Sequence, residues 1–89
     1  MPNANLTIIN RLGLHARAAA KFVQTAGHYG CNVEVCKDGK KVNGKSIMGV
    51  MMLAAAQGAQ IEITTSGTDE QAALDALTAL IADKFGEPS

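Results

Sequence analysis

An imidazole and a guanidinium stand two residues apart in Gly13-Leu14-His15-Ala16-Arg17, where a β-like run gives way to an amphipathic helix. Histidine has a reference pKa of about 6.5, so at neutral pH its uncharged ring can attack phosphorus and later act as a leaving group. Arg17 brings a fork of donors suited to phosphoryl oxygens. No Ser, Thr, Asp or Asn occupies Leu14, His15 or Ala16, so the first helical N–H groups, those of Ala16, Arg17 and Ala18, lack a side-chain acceptor. An anion fits there, gaining on the order of 1 kcal/mol from the helix dipole. These residues are able to form a covalent phosphoryl relay at His15, although a lone histidine by itself favours the plainer reading of a polar residue at a turn.

A second segment, Ser46-Ile47-Met48-Gly49-Val50-Met51-Met52-Leu53-Ala54-Ala55-Ala56-Gln57, opens on a natural N-cap and then runs without a polar residue to Gln57. A helix over this span cannot bury every side. Some of Ile47, Met48, Met51 and Met52 are therefore expected at the surface as a docking patch, with the rest filling the core. Ser46 is explained as a cap worth about 1 kcal/mol against alanine. A phosphate on the same hydroxyl would be tolerated by the helix dipole and would set negative charge at the edge of the patch.

The elements that must position these residues follow from periodicity. Leu6 to Ile9 reads as a strand, Gly13 as a turn, and Ala16 to Ala26 as a helix carrying a polar stripe of Arg17, Lys21, Gln24 and His28. Cys31 to Lys37 alternates as a strand, Asp38-Gly39 marks a tight hairpin, Lys40 to Asn43 returns, and Gln60 to Thr65 alternates again. A last helix is predicted to open on a capping box of Thr68 and Gln71, with Asp69 and Glu70 in its first turn. Its buried stripe is Ala73, Leu74, Leu77, Leu80, Ile81 and Phe85, and Gly86 ends it. The order is βαββαβα, in two layers, with helices on the apolar face of the sheet only.

Composition bounds the function. With 89 residues the chain fits one domain, residues 1–89, and its core is aliphatic, with one Tyr, two Phe and no Trp. A formal net charge of zero argues against a nucleic-acid binder. No apolar run approaches a membrane span and the first residues lack a secretory signal, so a cytoplasmic location is expected. Cys31 and Cys36 point to opposite faces of one strand and miss the spacing of metal or redox motifs, so neither a metal nor another cofactor is expected.

With both segments in view, the chain resembles the histidine-containing phosphocarrier (HPr) family of the bacterial phosphoenolpyruvate:sugar phosphotransferase system, over essentially its full length. Gly13 to Arg17 is similar to that family's active-site motif, and Lys45 to Met51 to its serine-phosphorylation and docking segment. The resemblance implies an α/β (α+β) open-faced sandwich with a four-stranded antiparallel sheet and three helices on one face. It also implies that enzyme I, charged by phosphoenolpyruvate, donates to Nδ1 of His15, and that a histidine of an IIA-type domain of a sugar permease accepts the group. Arg17 would stabilise the phosphoryl oxygens, and Ile47, Met48 and Met51 with Lys21 and Gln24 would meet the partners. Ser46 would be the target of an ATP-dependent HPr kinase/phosphorylase. Such a protein is a stoichiometric carrier rather than an enzyme, and a monomer. One departure stands out: the family commonly has proline where this chain has Ala18.

Two other functions fit the same residues. A nitrogen-related regulatory branch keeps the chemistry without sugar transport, and the Ser46 to Met51 segment leans away from it. A non-phosphorylated interaction module would share only the architecture, and the pairing of His15 with Arg17 argues against it.

Overall fold

The computed structural model describes residues 1–89. Its elements are β1 (Asn3–Thr7), α1 (Ala16–Gly27), β2 (Asn32–Lys37), β3 (Lys40–Asn43), α2 (Ile47–Met52), β4 (Gln60–Ser66) and α3 (Glu70–Ala82), followed by a 3-10 turn at Lys84–Gly86. The strands form one antiparallel sheet in the order β1-β4-β2-β3. β4 thus inserts between β1 and β2, its Ile63 facing Ala4 on one side and Val35 on the other.

Alternation decides which face of the sheet is covered. Val33, Val35, Ile61, Ile63 and Thr65 are buried against the helices, while Asn32, Glu34 and Gln60 stay in water. The one buried hydroxyl on that face is satisfied, Thr65 Oγ1 donating to the Glu70 carbonyl at 2.8 Å. Ala18, Ala19, Phe22 and Ala26 of α1, Val50 of α2, and Ala73, Leu74, Leu77 and Ile81 of α3 complete one core. The hairpin between β2 and β3 turns on Asp38 and Gly39, both left-handed with φ of 52° and 81°, the geometry that matches strand twist in a two-residue loop.

Three elements differ from the sequence expectation. β1 begins at Asn3 and ends at Thr7 rather than covering Leu6 to Ile9, because the register along β4 pairs Asn3 with Thr64 and Thr7 with Gln60. α2 stops at Met52 instead of continuing to Gln57; Ala54 is left-handed at φ 52°, and the Ala55 carbonyl leaves the helix to accept the Leu14 N–H at 2.8 Å. The capping box of Thr68 and Gln71 does not form at the start of α3. Asp69 is the N-cap residue and makes no side-chain cap; its carboxylate accepts instead from the Gly30 and Cys31 N–H groups. Those two hydrogen bonds across the chain outweigh the one local bond a cap would give.

After α3, Lys84 and Phe85 both take φ of 56°. Left-handed backbone costs roughly 1–2 kcal/mol per residue, about 2–4 kcal/mol for the pair, and the fully buried Phe85 ring offsets much of that with about 1.5–3 kcal/mol of apolar burial. The resulting reversal sends residues 86–89 back across the start of α1.

Candidate functional site

The loop before α1 is fixed from beneath. Gly13 is left-handed at φ 67°, and a Cβ added there would lie 2.5 Å from the Ala55 carbonyl oxygen and 2.9 Å from Ala56 Cα, so the two backbones touch only because residue 13 has no side chain. Leu14 is buried and bonded to Ala55. Asn10, also buried, donates its side-chain amide to the Gly13 carbonyl at 2.8 Å. Glycine, leucine and asparagine together leave the next residue little freedom.

That residue is His15, the N-cap of α1, with extended backbone (φ −74°, ψ 177°) and no side-chain cap. Its carbonyl accepts from Ala19 N–H at 2.8 Å, whereas the N–H groups of Ala16, Arg17 and Ala18 make no hydrogen bond within the chain. The open donor set expected at this helix start is therefore present. Ala18 is fully buried beneath it and Arg17 is exposed. His15, Ala16 and Arg17 line an open cleft of about 620 Å³ together with Arg11, Leu12, Glu87, Pro88 and Ser89.

Two residues of the site have no signature in the sequence. The side chain of Glu87, only 10% exposed, pairs its Oε2 with Nε2 of His15, and its Oε1 accepts the Asn10 side-chain amide at 2.9 Å. These contacts, the Asn10 amide first and the His15 ring second, hold the Glu87 carboxyl below its ordinary value of 4.5. No group of the chain bonds Nδ1 of His15. The segment bearing Glu87 is tied down at both ends, by Lys21 Nζ on the Phe85 carbonyl at 2.6 Å and by the Arg11 N–H on the Ser89 carbonyl at 3.0 Å. Nothing short of the fold brings Asn10 to Glu87.

The remaining sequence-predicted residues lie along α1 and α2, outside the cleft, with His28 at the far end of α1 from His15. Lys21 is partly buried by its bond to Phe85, while Gln24 and His28 are exposed on α1. Ser46 caps α2, its Oγ accepting the Gly49 N–H at 3.1 Å. All four of Ile47, Met48, Met51 and Met52 are exposed, Met48 to 73%, so the core takes Val50 and Leu53 in place of the methionines. Both cysteines are free thiols, and burial pushes the Cys31 thiol up, helped by its hydrogen bond to Asp69.

The family profile described as "PTS HPr component phosphorylation site" matches residues 3–83. Fold and site together define a small phosphocarrier protein. The phosphocarrier protein HPr of Cupriavidus necator is 55% identical over 87 residues, 98% of each chain, and that of Pseudomonas aeruginosa is 54% identical over 88 residues, again 98% of each. The crystal structure of HPr-C-His from Thermoanaerobacter tengcongensis superposes with a TM-score of 0.97 at 48% identity, covering 100% of both chains. The chain belongs to the HPr family of the phosphotransferase system.

Proposed function

We propose that His15 accepts a phosphoryl group on Nδ1 from phosphoenolpyruvate-charged enzyme I and hands it to a histidine of an IIA-type domain. The observation that carries this reading is His15 itself, half-buried at an uncapped helix start with Nδ1 unbonded. In each transfer charge spreads over the phosphoryl oxygens, which three unused N–H groups and the Arg17 guanidinium are suited to stabilise. The partner protein supplies the rest of the site, and this chain acts as a stoichiometric carrier.

The exposed apolar residues Ile47, Met48 and Met51 of α2, together with Gln24 and Lys21 of α1, are the docking residues for these partners. Ser46 is a regulatory phosphorylation site for an HPr kinase/phosphorylase: a phosphate on its hydroxyl stays at the N-terminus of α2, where the dipole favours it, yet sets charge beside the patch. The chain works as a single domain and a monomer in the cytoplasm. No helix is long and apolar enough to cross a membrane. Dimers occur among similar structures, including the swapped Crh of Bacillus subtilis at 43% identity, a TM-score of 0.76 and coverage of 94% of this chain and 97% of that one, so the oligomeric state should be measured alongside.

The test is intact mass and acid lability after incubation with enzyme I and phosphoenolpyruvate. One acid-labile phosphoryl group, absent from His15→Ala, is the expected result. An unlabelled wild type beside a labelled reference HPr would sink the proposal.

A further inference from the structure

We infer that Glu87 is a positioning residue for phosphoryl transfer: by holding Nε2 of His15, it makes Nδ1 the nitrogen that meets phosphorus. The inference deepens the phosphocarrier reading and rests on it. An imidazole has two chemically competent nitrogens, and which one carries the lone pair is set by the hydrogen bond the other makes. Here the choice is built in. A carboxylate can only accept, so the nitrogen facing Glu87 must carry the proton. Nε2 faces Glu87, and Nδ1 is unbonded.

The carboxylate is itself held. Asn10 is fully buried and divides its two amide protons between the Gly13 carbonyl and Glu87 Oε1. One side chain thereby fixes both the loop that carries His15 and the group that orients its ring. The Lys21 bond to Phe85 and the Arg11 bond to Ser89 restrain the segment on either side of Glu87. A carboxylate swinging freely at the surface would set no preference; one gripped at both oxygens does.

The step balances without a proton being moved. The Nδ1 lone pair forms the new N–P bond as the donor histidine's N–P bond breaks, and the donor nitrogen keeps that electron pair. The proton on Nε2 stays, so the phosphorylated ring becomes cationic facing the Glu87 carboxylate. Onward transfer reverses this: the acceptor nitrogen attacks phosphorus, Nδ1 takes back its pair, and the ring returns to its neutral form with Nε2 protonated.

The experiment uses phosphoramidate, a small donor that needs no partner protein, whose P–N bond breaks with ammonia leaving while histidine takes the phosphoryl group. Phosphorus NMR separates the Nδ1 and Nε2 phosphohistidine isomers, and His15→Ala gives the contribution of the exposed His28. The wild type is expected to favour Nδ1 at residue 15 by about tenfold, the discrimination of one charge-assisted hydrogen bond. Glu87→Ala should lose that preference. Glu87→Gln, the same shape with a neutral acceptor, should fall between. Isomer ratios that are the same in all three proteins, or a wild type labelled mainly on Nε2, would overturn the inference. Labelling by enzyme I answers the separate question of the relay, so a failure there is not confused with a failure here.

Discussion

Gly13→Ala is the change whose cost can be worked most directly from the geometry. The residue sits at φ 67°, and the added methyl would meet the Ala55 oxygen at 2.5 Å and Ala56 Cα at 2.9 Å. Left-handed backbone with a Cβ costs about 1 kcal/mol. Both neighbours are main-chain atoms that cannot rotate away, so the strands of the loop must part. That weakens the 2.8 Å bond from Leu14 N–H to Ala55, worth about 1 kcal/mol, and partly uncovers Leu14, worth about as much again. Lower entropy of the unfolded chain returns about 0.4–1 kcal/mol. The net expectation is a loss of about 2 kcal/mol, or a fall in Tm of roughly 10 °C for a domain of this size. Gly39→Ala is the control: it has φ 81° but nothing within 4 Å of its added Cβ, so it should lose less than about 1 kcal/mol. Urea and thermal unfolding of the two variants measure the difference. Equal losses would refute the claim that close approach, rather than backbone handedness, makes glycine necessary at position 13.

Acid should weaken the fold through two carboxylates: Asp69, held below its ordinary 3.8 first by the Gly30 N–H, and Glu87, held below 4.5 first by the Asn10 amide. Each is depressed in the folded state, so its contribution is complete above those ordinary values and is lost as pH falls through the folded ones. Urea midpoints taken from about pH 6 down to about pH 3 should drop less steeply in Asp69→Asn than in wild type. Phe22→Ala, at a fully buried ring, should cost about 3–5 kcal/mol by chemical denaturation, a large part of what a domain of this size has. Ser46→Ala removes the acceptor of the Gly49 N–H and should cost about 1 kcal/mol, seen as faster hydrogen exchange at Gly49. Ala18→Pro deletes an N–H that bonds nothing in the chain, so stability should change by no more than about 1 kcal/mol and labelling of His15 should persist.

What could be read ahead of the fold was whatever a local pattern decides alone. Asp38-Gly39 specified its hairpin because two adjacent left-handed residues are acceptable to that pair and to few others. Ser46 specified its cap, and Ile61 and Ile63 the dry face of β4, because one side chain or one alternation suffices. Two of the readings that failed are ones in which a distant group draws off a local partner. Thr68 and Gln71 have capping-box spacing, but Asp69 spends its carboxylate on Gly30 and Cys31. The run from Ser46 to Gln57 has no polar break, yet Ala55 is drawn off to Leu14. His15 and Arg17 were legible since they share one helix start. Asn10 and Glu87 were not, since an asparagine in a loop and a glutamate after a glycine match thousands of surfaces until the chain reversal at Lys84 and Phe85 brings them together.

The hydrogen bonds that complete this site join residues 72 and 77 positions apart in the chain, and β4 must slide between two strands made long before it. Contacts of such sequence separation form only after large loops close, which slows folding and leaves them among the last to appear. A growing or half-folded polypeptide therefore displays its histidine early but without the carboxylate that orients it. The clasp is thus a property of the completed fold, and on the phosphocarrier reading the choice between the two ring nitrogens arises only once the reversal at Lys84 and Phe85 has formed.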